Sequence, residues 1–153
     1  MITYQIEPIS KLIEDGIGNM ASSHYEEVRT PSDFSQFDPD WEEYNRLEET
    51  DMLRFISVRD EGKLIGYSSI IVIKNPHCKG TYNAIIQDLY VIPERRKSMI
   101  SFKLMRFVLS IISMLNVKQT MIFEPRTTSI KDIGRFYKYF GFNESETVWL
   151  KGD

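Results

Sequence analysis

The sequence has almost none of the residues that cross-link small proteins or bind metals. Its 153 residues include one cysteine, Cys78, and two histidines, His24 and His77. One cysteine cannot form an internal disulfide, and its spacing from the histidines is not that of a zinc site. We therefore expect no disulfide and no metal, because a chain of this length can bury a core large enough to fold without them.

Long hydrophobic runs are also missing. The longest one, residues 104–115, includes the charged residue Arg106, whereas a helix that crosses a bilayer needs about 20 apolar residues. The first ten residues have neither the basic start nor the apolar stretch of a secretory signal peptide. The sequence thus predicts one globular domain over residues 1–153, in the cytoplasm and without a membrane partner.

The net charge of −3 conceals two halves of opposite sign. Residues 1–51 carry −10 and residues 52–153 carry +7. The bases of the second half are spread along the chain, so we expect a small polyanion as its partner and no nucleic acid. The acidic segment 33–51 has Trp41, Tyr44 and Leu47 at helical spacing. Its other faces are either simply solvated or attract a cation.

Hydrophobic periodicity predicts an α/β (α+β) chain of six strands and four helices. We expect strands over residues 2–9, 53–59, 64–73, 82–91, 120–123 and 147–150, and helices over residues 11–28, 40–50, 97–116 and 130–140. The sequence Asp-Glu-Gly-Lys at residues 60–63 is typical of a β-hairpin turn.

The most informative segment joins strand 82–91 to the long helix that follows it. It reads Ile-Pro-Glu-Arg-Arg-Lys, so Arg95, Arg96 and Lys97 lie where the helix is predicted to begin. The first turn of a helix offers unpaired N–H groups and the positive end of the helix dipole. The segment therefore indicates a diphosphate site, although basic residues also flank many helices that bind nothing.

Two motifs resemble the GNAT family of acyl-CoA-dependent N-acetyltransferases. Residues 89–96, Leu-Tyr-Val-Ile-Pro-Glu-Arg-Arg, are similar to its strand-to-helix motif, and residues 135–142, Arg-Phe-Tyr-Lys-Tyr-Phe-Gly-Phe, to its closing helix. The resemblance implies the GNAT fold, a central mixed, mostly antiparallel sheet of about six strands flanked by four helices. It also implies direct acetyl transfer from the cosubstrate acetyl-CoA to a primary amine, either a small molecule or a protein lysine or N-terminus.

A narrower likeness is to small GNAT proteins that bacteriophages often encode. The segments that carry it are residues 24–27, 38–41, 62–66, 76–77 and 104–107. It would place the protein in the host cytoplasm, as a monomer or a homodimer.

The resemblance to the GNAT family assigns site residues. The residues that it implies for cofactor binding are Leu89, Tyr90 and Val91 for the pantetheine arm, and Arg95, Arg96, Lys97, Ser98, Met99, Ile100 and Ser101 for the diphosphate. Tyr137 would protonate the departing thiolate, since a phenol with a pKa of about 10 stays protonated at neutral pH. From the residues alone, Tyr137 would be interpreted as a core or rim aromatic.

The sequence departs from the family pattern at two places. The family has glycines where residues 96–101 read Arg-Lys-Ser-Met-Ile-Ser, and Met99 could narrow the cradle there. The strand position of the family's glutamate falls on Ile85, so Asp88 and Glu124 are the candidates for the general base, unless a base acts through water.

Three further residues are weaker candidates. His24 and Glu27 lie on one face of the first helix, where they could bind the acceptor or form a surface pair. His77 is a candidate base or simply a loop residue. Cys78 has no evident histidine partner and no Gly-x-Ser-x-Gly elbow is present, so we expect no acyl-enzyme.

The lost glycines leave a second interpretation open. A catalytically degenerate GNAT scaffold could act as a protein-binding module, for example a viral protein that docks on a host protein through residues 33–51. The tyrosine at 137 and the basic cluster at 95–97 favour the enzyme instead.

Overall fold

The computed structural model describes residues 1–29, 36–125, 133–149 and 151. The start of the helix predicted at 130–140, residue 150 of the last predicted strand and residues 33–35 of the acidic segment lie outside that part. The chain divides into two compact units, Met1–Met20 with Pro39–Phe123, and Ala21–Asp38 with Glu124–Asp153. The single domain over residues 1–153 stays a prediction.

The described residues form five strands, five α-helices and one 3-10 turn. In chain order these are β1 (Ile2–Glu7), α1 (Ile9–Glu14), α2 (Ile17–Val28), α3 (Trp41–Glu49), β2 (Leu53–Asp60), β3 (Lys63–Lys74), β4 (Tyr82–Val91), the 3-10 turn (Pro93–Arg95), α4 (Ile100–Ser113), β5 (Val117–Ile122) and α5 (Ile133–Tyr139). None of the helices in the described ranges is long and apolar enough to cross a membrane.

One mixed sheet organises the first unit. Its strand order is β1-β2-β3-β4-β5, antiparallel throughout except for the parallel pair β4 and β5. The predicted hairpin is confirmed, because Asp60 pairs with Lys63 across a two-residue turn. Both turn residues, Glu61 and Gly62, have positive φ, as the tight turns that match strand twist require. The α+β class and the mixed, mostly antiparallel sheet are thus confirmed.

Helices cover both faces of this sheet. The α4 ring of Phe107 lies 6.2 Å from the Tyr4 ring on β1, and the α3 ring of Tyr44 lies 5.8 Å from the Phe55 ring on β2. Tyr4 pairs with Val58 in the β1–β2 register, so its side chain lies on the face opposite Phe55. We call the two sides the α4 face and the α3 face.

The burial of the elements follows from this layering. Both faces of β2 and β3 are covered, which explains why almost every residue of these strands is buried. The α4 residues that enter the core are Ile100, Leu104, Met105, Val108, Ile111 and Ile112. On the α3 face, the Glu48 carboxylate accepts the N–H of Ile9 at 3.1 Å. It thereby ties α3 to the start of α1, where Pro8 provides no capping side chain.

Several predicted bounds differ from the observed ones, such as those of β1 and of β5, which begins at Val117, and three elements differ in kind or by several residues. The helix predicted at 11–28 is two helices, because the chain breaks at Gly16, whose φ is 87°. The long helix begins at Ile100 and not at residue 97, because the 3-10 turn at Pro93–Arg95 is followed by further turns over residues 96–99. The strand predicted at 147–150 was wrong for residues 147–149, where Val148 and Trp149 are exposed and unpaired with any strand of the described chain.

Candidate active site

Strand β4 separates from β5 halfway along its length. It pairs with β3 as far as Val91, but its pairing with β5 ends at Ile86. Between these two points Gln87 is an extra residue that forms a bulge against β3. Within the described part of the chain, no strand pairs with residues 89–91 on the β5 side. Their main-chain groups are the ones that the resemblance to the GNAT family implies for the pantetheine arm.

A close backbone contact fixes the end of β4. A Cβ at Gly66 would lie 2.6 Å from the Tyr90 carbonyl oxygen and 3.2 Å from the Val91 Cα. Only glycine allows β3 to approach β4 so closely. The Ser68 hydroxyl, two pairs further along, donates to the Asp88 main-chain oxygen at 2.6 Å. The sequence analysis missed both residues, because nothing local marks a cross-strand contact.

The turn after β4 leads directly to the start of α4. The Ser98 hydroxyl donates to the Arg95 carbonyl oxygen at 2.7 Å, and Met99 is the N-terminal capping residue of α4 without a side-chain cap. In the described structure, the N–H groups of residues 97–101 find no main-chain acceptor. This is the arrangement of donors that binds a phosphate at a helix start.

The three bases of this turn have different partners. Arg95 forms an ion pair with Asp60. Arg96 donates from Nε to the Val91 carbonyl oxygen at 2.7 Å and lies 5.0 Å above the Tyr90 ring, so it holds the end of β4. Lys97 has no ion-pair partner among the described residues. It borders a depression of about 480 Å³ that lies between β1 and the start of α4.

The Met99 side chain lies at the surface beside these N–H groups. It is 57% exposed and lines the depression at the start of α4. Replacing it by glycine therefore tests whether this side chain narrows the cradle.

Asp88 lies on the α3 face, immediately after the bulge. Its carboxylate accepts a hydrogen bond from the Ser69 hydroxyl. Ser69 is completely buried and pairs with Phe55 on its other side. Phe55, Ser69 and Asp88 therefore form one row across three strands.

Tyrosines surround this row. In the next row, the buried Tyr67 and Tyr90 pair across β3 and β4 with their ring centres 5.9 Å apart, and α3 places Tyr44 over Phe55. Burial raises the pKa of Tyr67 and of Tyr44, and the negative charge of Asp88 raises both pKa values further. Both phenols therefore stay neutral across the physiological range.

The second unit brings Tyr137 and Glu124 together. Tyr137 is buried, with its ring 6.2 Å from that of Phe142. Burial raises the pKa of Tyr137, and the charge of Glu124 raises it further. The Glu124 carboxylate lies against α5, because a Cβ at Gly134 would be 3.0 Å from its Oε1. Tyr139, in contrast, is 62% exposed, so the two tyrosines of α5 occupy different faces.

The weaker candidates lie elsewhere. His24 and Glu27 are half-buried on α2, in the part of that helix that belongs to the second unit. His77 and Cys78 are exposed in the β3–β4 turn, where the Asn75 side chain accepts the N–H of His77 at 3.0 Å. In the described ranges, no His, Cys, Asp and Glu residues cluster in a way that could hold a metal ion.

Known proteins resemble this chain in sequence pattern and in fold. The model of the acetyltransferase (GNAT) family matches residues 19–142, whereas no curated protein matches the chain. Ribosomal-protein-alanine N-acetyltransferase from Brucella melitensis biovar Abortus 2308 has a TM-score of 0.75 at 13% identity, over 99% of both chains. A predicted acetyltransferase with acetyl-CoA from Clostridium acetobutylicum has a TM-score of 0.74 at 18% identity, over 100% of this chain and 96% of the other. An aminoglycoside acetyltransferase from an uncultured soil metagenomic sample, in complex with sisomicin, has a TM-score of 0.73 at 15% identity, over 99% and 95%. These likenesses confirm the expected fold.

Proposed function

The chain belongs to the GNAT acetyltransferase family, and on this premise we propose that it moves an acetyl group from acetyl-CoA directly to a primary amine. In the reaction the amine nitrogen attacks the thioester carbonyl, a C–N bond forms, and the C–S bond then breaks. The nitrogen loses a proton to a base, and the departing sulfur takes up a proton. No covalent acyl-enzyme is involved.

One observation carries this proposal. The part of β4 that has left β5 runs directly into a helix start whose N–H groups are available, so an extended amide chain and a diphosphate can be bound one after the other. The pantetheine arm, which contains amides, would hydrogen-bond along residues 89–91 as an added strand. The diphosphate would accept from the N–H groups of residues 97–101, with Lys97 as a nearby positive charge.

Tyr137 is proposed as the donor to the departing sulfur. Its raised pKa keeps the O–H in place at every working pH. A thiol has an ordinary pKa of about 8.5, so complete transfer of the phenol proton is uphill, and the O–H acts mainly as a hydrogen-bond donor while charge develops on sulfur. Solvent then supplies the final proton.

Asp88 and Glu124 remain the two proposed bases. Asp88 is held by Ser69 at the point where β4 leaves β5, whereas Glu124 lies beside the helix that bears Tyr137. Asp88→Asn and Glu124→Gln, compared over a pH series, separate the two roles, because only loss of the true base removes the acidic limb of the kcat/KM profile.

Two measurements test the proposal together. Isothermal titration with acetyl-CoA measures cosubstrate binding, and the release of free thiol in the presence of amines measures acetyl transfer. We expect Lys97→Glu to weaken acetyl-CoA binding about tenfold or more. Lys74→Glu, an equal charge change at the opposite end of the sheet, is the matched control and should have little effect. Equal affinities in the two variants would place the diphosphate elsewhere.

The alternative remains a non-catalytic scaffold that binds a protein through its acidic segment. Complete absence of acetyl-CoA binding would favour it, whereas the available N–H groups favour the enzyme. The bacteriophage likeness, the cytoplasmic location, the monomer or homodimer state and the roles of His24 and Glu27 in acceptor binding stay predictions.

A further inference from the structure

We propose that Asp88, beside the ring of Tyr44, binds the acceptor as a cation, so that the acceptor is a primary ammonium compound with no carboxylate or phosphate close to its nitrogen. This inference rests on the proposed function and deepens it by naming the chemical class of the acceptor. All of its residues lie in the first unit.

The bulge determines where Asp88 lies. Asp88 is the first residue of β4 after the extra residue Gln87, and it follows the last β4 residue that pairs with β5. Its carboxylate is therefore next to the main-chain segment that would bind the pantetheine arm. A cation bound to this carboxylate would be held beside the thioester end of that arm.

The Asp88 carboxylate is held in a fixed position. The buried Ser69 hydroxyl donates to it from the α3 face. The buried Ser68 hydroxyl donates to the main-chain oxygen of the same residue. A charged group that is already immobilised loses little conformational freedom when it binds a partner, so more of its attraction appears as affinity.

The surrounding rings suit a cation and not an anion. Tyr67 lies in the row beside Asp88, and Tyr44 reaches the same face from α3. The face of a tyrosine ring attracts ammonium groups, and Tyr44 is the half-buried ring of the two, whereas Tyr67 is buried and packs against Tyr90. Both phenols remain neutral because their pKa values are raised. The Asp88 carboxylate is thus the charged group beside these neutral rings. Its single negative charge complements the single positive charge of one ammonium group.

The helix that supplies Tyr44 strengthens this preference. Residues 36–51, which include α3, contain seven acids and one base. Such a segment concentrates cations near the site and repels ligands that carry an anionic group. An amine with a carboxylate or phosphate near its nitrogen would bring that group against Asp88 and its acidic surroundings.

Matched pairs of ligands test the proposal without requiring acetyl transfer. Phenethylamine is compared with phenylalanine, and ethanolamine with O-phosphoethanolamine, by calorimetric titration of the full chain in the presence of CoA. We expect the member without the anionic group to bind at least about tenfold more tightly in each pair. In Asp88→Asn this ratio should fall to about twofold. Glu49→Gln, which removes one charge from the exposed side of α3, should change the ratio far less than Asp88→Asn does.

Each outcome decides the proposal. Absence of amine binding, equal binding within the pairs or a ratio that Asp88→Asn leaves intact would overturn it, and so would an equal effect of Glu49→Gln. If Asp88→Asn does not fold, Ser69→Ala tests the same carboxylate, and we expect about threefold weaker amine binding. Failure of the proposed function is distinct, because amines would then bind with the expected ratio while no acetylated product forms.

Discussion

Replacing Arg59 by methionine is expected to lower the free energy of unfolding by about 3 to 5 kcal/mol at pH 7. Arg59 projects from β2 with only 9% of its side chain exposed. Its guanidinium donates to the Glu7 carboxylate at 2.9 and 3.3 Å and to the Gly62 carbonyl oxygen at 2.9 Å, and it also pairs with Asp15. One side chain thus joins β1, the α1–α2 junction and the hairpin turn.

The expected size of the effect follows from what the substitution leaves behind. The Glu7 side chain is 13% exposed, so without Arg59 it would be an ionised, buried and unpaired group. Asp15 is more exposed, and water can replace its lost partner. Methionine fills much of the vacated volume, so a large cavity adds little to the cost.

The loss should depend on pH. Burial pushes the pKa of Glu7 up, but the hydrogen bond and charge of Arg59 outweigh it and the pKa is lowered. The bond to Arg59 likewise lowers the pKa of Asp15. Both carboxyls therefore stabilise the folded state fully above their ordinary pKa values, which are 4.5 for Glu7 and 3.8 for Asp15. This stabilisation is lost as the pH falls through the lowered pKa values of the folded protein. The difference in free energy of unfolding between the wild type and Arg59→Met should therefore become smaller below about pH 4.

Urea unfolding at pH 7 and at pH 3 measures this gap. Arg46→Met, which breaks the exposed pair with Glu43, is the control and should cost no more than about 0.5 kcal/mol. Adding Glu7→Gln to Arg59→Met removes the unpaired charge and should restore at least about 1 kcal/mol. A loss below about 1 kcal/mol at pH 7, or no recovery in the double variant, would refute the reasoning.

Three further predictions concern the site. Tyr137→Phe should lower kcat roughly 10²-fold with little change in acetyl-CoA affinity, while Tyr139→Phe stays active; the reverse pattern in thiol-release kinetics would show that the assigned helix register is wrong. Met99→Gly should tighten acetyl-CoA binding in calorimetry more than Met99→Ala does, and at no cost in melting temperature, because Met99 caps the helix and is not inside it; weaker binding would make Met99 a productive contact. Gly66→Ala should cost about 1 to 3 kcal/mol in urea unfolding and weaken acetyl-CoA binding, since the added Cβ would displace the Tyr90 carbonyl; a stable variant with unchanged affinity would contradict that contact.

Local patterns predicted what depends on local chemistry. The bounds of β4 agree with the prediction at both ends, and the hairpin at 60–63 is confirmed because Gly62 supplies the positive φ that its turn needs. The predicted α3 differs by one residue at each end, since Asp40 accepts the N–H of Glu43 and caps its start.

Interactions between distant residues could not be predicted in this way. Arg96 was expected to meet the diphosphate, yet its Nε binds the Val91 carbonyl, a contact that depends on how the turn folds back on β4. The tyrosines around Asp88 come from α3 and β3, so they depend on strand register and helix docking. The strand predicted at 147–149 alternates suitably, but β-propensity yields a strand only where a neighbouring strand is available.

The bulge at Gln87 also reverses which residues of β4 face which side of the sheet. Before it, Ala84 and Ile86 pair with Val72 and Ile70 on the α4 face; after it, Asp88 and Tyr90 lie on the α3 face, although all four have even numbers. The extra residue is the only reason that both sets are correctly oriented. Substitution of this exposed position should be tolerated during evolution, whereas its deletion would turn the side chains on one side of it to the opposite face of the sheet. The chain would then keep either its packing against α4 or its carboxylate beside Ser69, but never both.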